Sequence, residues 1–136
     1  MQSTTILALS LVASGQVTER RAVGFDGAQA TVQGQKVAGV ARFDAADGDP
    51  LTVEALGTAV IESGAAIAVG DAIIVDASGR AIPSTGEINI PSGATSVTST
   101  AANGAILAGG EMPEYVIGHA LESASAAGEF IEVLLR

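Results

Sequence analysis

The chain has 136 residues, enough for one domain with its own core. Its hydrophobic share is 48%, but with three Phe, one Tyr and no Trp that share comes from Ala, Val, Ile and Leu. Small aliphatics bury little area per residue, so a lone subunit should be only modestly stable and a shared core is favoured. The absence of cysteine excludes disulfide stapling, thiolate metal sites and a cysteine nucleophile.

The net charge of −9 is unevenly placed. Residues 1–43 carry Arg20, Arg21, Lys36 and Arg42 against Glu19 and Asp26, a net +2. Residues 44–136 carry Arg80 and Arg136 against thirteen acids, a net −11. A body this acidic argues against a nucleic-acid partner, whose phosphates need Lys and Arg. It favours solubility at high local concentration. Any acidic partner would have to be met by the first third of the chain.

Ile6-Leu-Ala-Leu-Ser-Leu-Val-Ala13 resembles the core of a signal peptide, but residues 1–5 carry no positive side chain. The run is also too short to span a bilayer, so no membrane partner is expected. It reads as a buried or partner-covered strand within an N-terminal arm, residues 1–15. Next, Val17, Val23 and Phe25 share one phase, and Asp26-Gly27 before Ala28-Gln-Ala-Thr-Val32 predicts a type I′ hairpin. From Leu51 to Ile61 the pattern is extended but changes phase, which predicts a bulge near Gly57. Such a bulge would bend the sheet towards a barrel or sandwich corner. Asp76-Ala-Ser-Gly79 between Ala72-Ile-Ile-Val75 and Arg80-Ala-Ile82 predicts a type I turn closed by a left-handed glycine. Residues 84–114 are rich in Gly, Ser and Thr, with only short strand candidates, and read as a long loop or hairpin extension.

One unit recurs. Residues 37–55 and 116–135 both read strand, small-residue connection, strand. With one residue inserted in the later connection, Val37, Gly39, Ala41, Ala45, Gly48 and Val53 match Val116, Gly118, Ala120, Ala124, Gly128 and Val133. The alternative is chance similarity in an Ala/Gly/Val-rich chain, and two copies do not make a solenoid. The connection Glu122-Ser-Ala-Ser-Ala-Ala-Gly128 predicts one or two helical turns, with Gly128 as the left-handed cap.

Residues fit for catalysis are scarce. His119, the single histidine, sits in an apolar strand with no oriented partner, so it reads as structural. Asp44-Ala-Ala-Asp47-Gly48-Asp49 departs from calcium-loop spacing and reads as a solvated acidic turn. No phosphate-loop signature or nucleophile elbow occurs. No catalytic residue, metal or cofactor is expected.

Several stretches, in order, resemble the capsid cement (head decoration) proteins of tailed bacteriophages. They are Arg21-Ala-Val-Gly-Phe-Asp-Gly27, Val37-Ala-Gly-Val-Ala-Arg-Phe-Asp44, Leu56-Gly-Thr-Ala-Val60, Ala68-Val-Gly-Asp-Ala-Ile-Ile-Val-Asp-Ala-Ser-Gly-Arg-Ala81, and the closing run from Gly118 to Leu135. The resemblance spans Val17 to Leu135 and departs at residues 84–114, where such proteins are often shorter. It implies an all-β fold with one short helix, a compact barrel or sandwich of β-tulip type, as a single domain over residues 1–136. It further implies a homo-oligomer, trimer before dimer, made in the host cytoplasm and bound to the major capsid protein on the outside of the expanded head. The surface expected to meet the capsid or neighbouring subunits is Ile6, Leu7, Leu9, Leu11 and Val12 with Arg20, Arg21 and Arg42. Two other readings stand beside this one. One is a β-rich tail, fibre or surface-layer module, and the other a small-ligand module using the 84–114 loop.

Overall fold

The computed structural model describes residues 2–86 and 114–136. Eight strands form one sheet: β1 Thr5–Val12, β2 Ala22–Val23, β3 Gly39–Ala41, β4 Pro50–Glu62, β5 Ala72–Val75, β6 Ala81–Pro83, β7 Gly118–Ala120 and β8 Phe130–Leu135. Their order is β2-β3-β4-β8-β7-β5-β6, with β1 paired to β4. The two ends of that order approach each other, where Ala22 N donates to Gly79 O at 2.7 Å and Gly34 N to Val75 O at 2.8 Å. The sheet is thereby a nearly closed barrel.

Residues 5–55 and 55–135 follow one plan. Val40 pairs with Glu54 and Ala41 with Val53 between β3 and β4; His119 pairs with Leu134 and Ala120 with Val133 between β7 and β8. This is the register the sequence repeat predicts. The equivalence also reaches further back than the repeat. Ala22 and Val23 pair with Val40 and Gly39 as Ala72 and Ile73 pair with His119 and Gly118. Val17 bridges Ala45 as Ile67 bridges Ala124. Leu11 and Val12 meet Leu51 and Pro50 as Ile61 and Glu62 meet Ile131 and Phe130. The 13-residue β4 therefore belongs to both halves: it closes the first and opens the second.

Glycine is required at the matching positions 39 and 118. A Cβ at Gly39 would lie 2.1 Å from Glu54 O, and one at Gly118 would lie 2.1 Å from Leu134 O. Neither distance is sterically possible, so any side chain there would push the paired strands apart.

Four expectations are corrected. First, no helix occurs among the described residues, and 122–128 is an irregular connection. Ala and Glu favour helix locally, but Ala124 exchanges both backbone hydrogen bonds with Ile67, and this tertiary bridge overrides the propensity. The Ser125 hydroxyl and amide donate to Glu129, holding its carboxyl below the usual glutamate range.

Second, the turn at Asp26-Gly27 is not type I′. Gly27 N donates to Gly24 O, Gly27 alone of the pair has positive φ (+81°), and Gly24 N donates to Ala28 O. This is a type I turn closed by a left-handed glycine, the same device as Asp76–Gly79. In the latter, Gly79 N donates to Asp76 O, Gly79 has φ +75°, and β5 pairs with β6 as expected.

Third, β4 does not change face: Leu51, Val53, Ala59 and Ile61 are all buried, and Val60 is buried beside them. The irregularity near Gly57 lies instead in the pairing with β1, where register shifts flank Leu7. Gly57 has φ +108°, and a Cβ on it would stand 2.2 Å from Thr4 O. Fourth, the N-terminal apolar run has a partner strand within its own chain, because Ala8 to Val12 pair in regular register with Glu54 to Pro50.

Among the described residues the hydrophobic core clusters are made of Ala, Val, Ile and Leu. One cluster, including Ile61, Ile73, Ile131 and Val133, lies mostly under the second half; a smaller one, with Val17, Val23, Leu51 and Val53, lies under the first. Residues 84–114 fall largely outside the described residues. At its described ends, Ser84 Oγ donates to Glu114 Oε2 at 3.0 Å.

Candidate functional site

All four aromatic side chains of this chain are on its surface. Phe25 is 65% exposed, Phe43 60%, Phe130 47% and Tyr115 40%. A fold that needed them for stability would bury them, since each carries more apolar area than any Val or Ile. Cations accompany three of the four: Lys36 Nζ stands 5.8 Å from the Phe25 ring centre and 5.9 Å from that of Tyr115, and the Arg42 guanidinium is 5.9 Å from Phe43. Aromatic side chains and Arg are enriched where proteins meet other proteins.

Strand β1 adds to this surface. Among the described residues it pairs with β4 alone, so its other edge carries no strand. Ile6, Leu7 and Val12 are exposed. Leu9 and Leu11 are half-buried, and Leu11 packs against the smaller core cluster. An apolar strand with a free edge is a template for another chain unless something covers it.

The segment leading into β1 is tied down by Glu54, whose side chain is only 1% exposed. Glu54 Oε1 accepts from Ser3 Oγ and from Thr5 Oγ1, both at 2.7 Å, while Arg42 Nη1 stands 3.9 Å away. Glu54 Oε2 is buried with no hydrogen-bond partner among the described residues. Gln2 N donates to Glu132 Oε2 at 3.2 Å. Glu54 was not singled out from the sequence, where it reads as one more acid in an alternating strand.

The three arginines expected at the surface serve differently. Arg21 is turned inward: Nε and Nη2 reach Glu62 Oε2 at 2.9 and 2.7 Å, and Nη1 donates to Ser78 O at 2.9 Å. It is structural glue between β2 and the β5–β6 turn. Arg42 leans from Phe43 towards Glu54. Arg20 is half-exposed and has φ +61°, the one non-glycine residue among those described in the left-handed region. A long side chain in that conformation costs about 1 kcal/mol. Arg20 borders an open cleft of about 370 Å³ with Gln2, Ser3, Glu19, Val60 and Phe130. Arg20 thus borders the segment leading into β1 and Arg42 lies near the Glu54 that holds that segment, whereas Arg21 is turned inward.

Two carboxylates of the acidic turn bond to backbone amides. Asp44 Oδ1 accepts from Glu19 N and Asp47 Oδ1 from Gly15 N, both at 2.8 Å, so these carboxylates cap the backbone of the β1–β2 connection. No group of three or more His, Asp or Glu among the described residues is placed to hold a metal ion. His119 lies in β7 with Nδ1 buried and unbonded among the described residues. No helix among them is long and apolar enough to cross a membrane.

Comparison with known families decides the assignment, since the phage cement protein family matches residues 1–135. The chain belongs to that family. Membership carries a structural role at the phage capsid. A solved structure, the N base of the head fiber gp8.5 of bacteriophage phi29, has the same fold. It aligns with a TM-score of 0.63 over 96% of this chain and 95% of that one, at 18% identity. Comparison with curated proteins returns no match. For a cement-family chain, surface aromatics, a free apolar edge and cations in the first half are the features to explain.

Proposed function

We propose that this cement-family chain is a non-enzymatic structural protein that binds the outer surface of the phage capsid as a homo-oligomer and stabilises the expanded head. The observation that carries the reading is the placement of every aromatic side chain on the surface, together with the exposure of Ile6, Leu7 and Val12 in β1. Contacts added across shell subunits stabilise the assembled state by mass action, with no chemistry required. Repeated copies turn weak individual contacts into lasting attachment. The partner is the major capsid protein, met after synthesis in the host cytoplasm. A trimer is favoured over a dimer, and subunit association would supply the burial that a core without aromatics lacks.

Co-sedimentation with purified expanded capsids and with precursor shells tests this reading. Binding to the expanded form alone is expected; binding to neither overturns it. Analytical ultracentrifugation should give a trimer mass, and a stable monomer at micromolar concentration would remove the oligomer from the proposal. Because β1 is integral to the sheet, its role is tested by Ile6→Lys with Val12→Lys rather than by deletion. Capsid binding should fall about 10-fold or more while the fold persists.

A second reading, a fibre-base or tail module, is favoured by the fold shared with the phi29 head fiber N base. Imaging of the particle separates the two. Compact density lying on the shell supports the first, and density at the root of a longer projection supports the second.

A further inference from the structure

We infer that the cleft beside Arg20 receives a short segment of the shell protein carrying an Asp or Glu carboxylate next to an apolar side chain. Arg20 holds the carboxylate, and Phe130 and Val60 receive the apolar group. The inference rests on the capsid-binding reading above and assigns it a place on the molecule.

The argument starts from the backbone. The position equivalent to Arg20 in the second half is Gly70, with φ +89°. Both residues make the same bond: Arg20 N donates to Ala41 O at 2.9 Å, and Gly70 N to Ala120 O at 2.8 Å. Glycine therefore does everything the backbone needs there, at no steric cost. In the first half the chain holds an arginine in a strained conformation where the fold would be served better by glycine. Strain retained in this way marks a functional position more often than a structural one.

Among the described residues the side chain has no polar partner. Arg21 is paired with Glu62 and Arg80 with Asp76; Arg42 is near Glu54 and Lys36 lies over two rings. No hydrogen bond or ion pair engages the Arg20 guanidinium among the described residues. It stands instead at the rim of the cleft, where the Phe130 ring is 47% exposed. A planar guanidinium with free donors beside an aromatic surface suits a carboxylate, bound in a bidentate manner, and an adjoining apolar group. A phosphate would suit the donors equally, but Glu19 shares the rim and the chain carries a net charge of −9, which disfavours a polyanion.

The test uses expanded capsids stripped of this protein and three forms of the full chain: wild type, Arg20→Gly and Arg20→Lys. Arg20→Gly should keep its Tm within about 2 °C of wild type or above it. Its affinity for capsids should fall about 30-fold, with Arg20→Lys in between. Undiminished binding by Arg20→Gly overturns the anchor role and leaves the capsid reading intact. A Tm that drops by several degrees shows that Arg20 serves the fold, and also overturns the inference. Failure of wild type to bind overturns the capsid reading and this inference with it.

Discussion

The two halves of the barrel share strand order, register and the glycines at 39 and 118, yet differ in what occupies equivalent places. The first strand of the second half is the C-terminal part of β4, whose Ala59 and Ile61 are fully buried. Its counterpart in the first half is β1, whose equivalent Leu9 and Leu11 are only half-buried. Beneath it, buried Glu54 occupies the place that Leu134 fills in the second half, and strained Arg20 stands where Gly70 does the same backbone work. The second half is thus the more regular solution to the shared plan. The first departs from it by a carboxyl with an unbonded buried oxygen, a strained cation and, among the described residues, an edge without a strand, each a cost to the isolated subunit that contact with another chain could offset.

Three experiments press on this comparison. The largest effect is expected at the shared glycines. Gly118→Ala and Gly39→Ala each drive a Cβ into a backbone carbonyl of the adjacent strand and should destabilise by about 3 kcal/mol or more. Urea unfolding should give the two variants costs within about 1 kcal/mol of each other, and a large disparity would break the equivalence.

Glu54→Leu transplants the second-half residue into the first and should sharpen the contrast. Global stability should change by about 1 kcal/mol or less, because an apolar side chain replaces an incompletely satisfied buried carboxylate. The segment it ties down should loosen. The Thr58 amide, bonded to Thr4 O, is expected to exchange about 10-fold faster by NMR.

The smallest effect concerns pH. Glu129 has a folded pKa below its unfolded one, since Ser125 donates to its carboxylate. Its contribution is therefore full above the ordinary glutamate range and disappears as pH falls through the lower folded value. Side-chain NMR should place its midpoint below that range in wild type and return it upward in Ser125→Ala.

What the sequence disclosed follows from how local each signal is. The Asp76–Gly79 hairpin was legible because a carboxylate and a left-handed glycine act within four residues. The 37–55 and 116–135 repeat was legible because close strand contact admits only glycine at 39 and 118. Its extension to residues 5–23 and 55–73 was hidden, since Arg20 and Gly70 share no chemistry and Leu9 and Ala59 differ in size. The doubling of β4 as the last strand of one half and the first of the other also blurred the boundary. The 122–128 helix failed because Ala124 bonds to Ile67, more than fifty residues away. On the candidate site, the apolar run of β1 was visible, but its pairing with β4 was not. Arg20 could be picked out as a cation, whereas its strain exists only in φ, and the inward turn of Arg21 depends on Glu62 arriving from another strand.

The outward placement of Phe25, Phe43, Tyr115 and Phe130 also governs what light can report about this molecule. With no indole and no ring packed inside, melting the barrel changes the surroundings of these chromophores little, so near-ultraviolet dichroism and tyrosine emission should hardly register it. Seating on a larger body would immobilise and dry the same rings, making those signals a gauge of attachment.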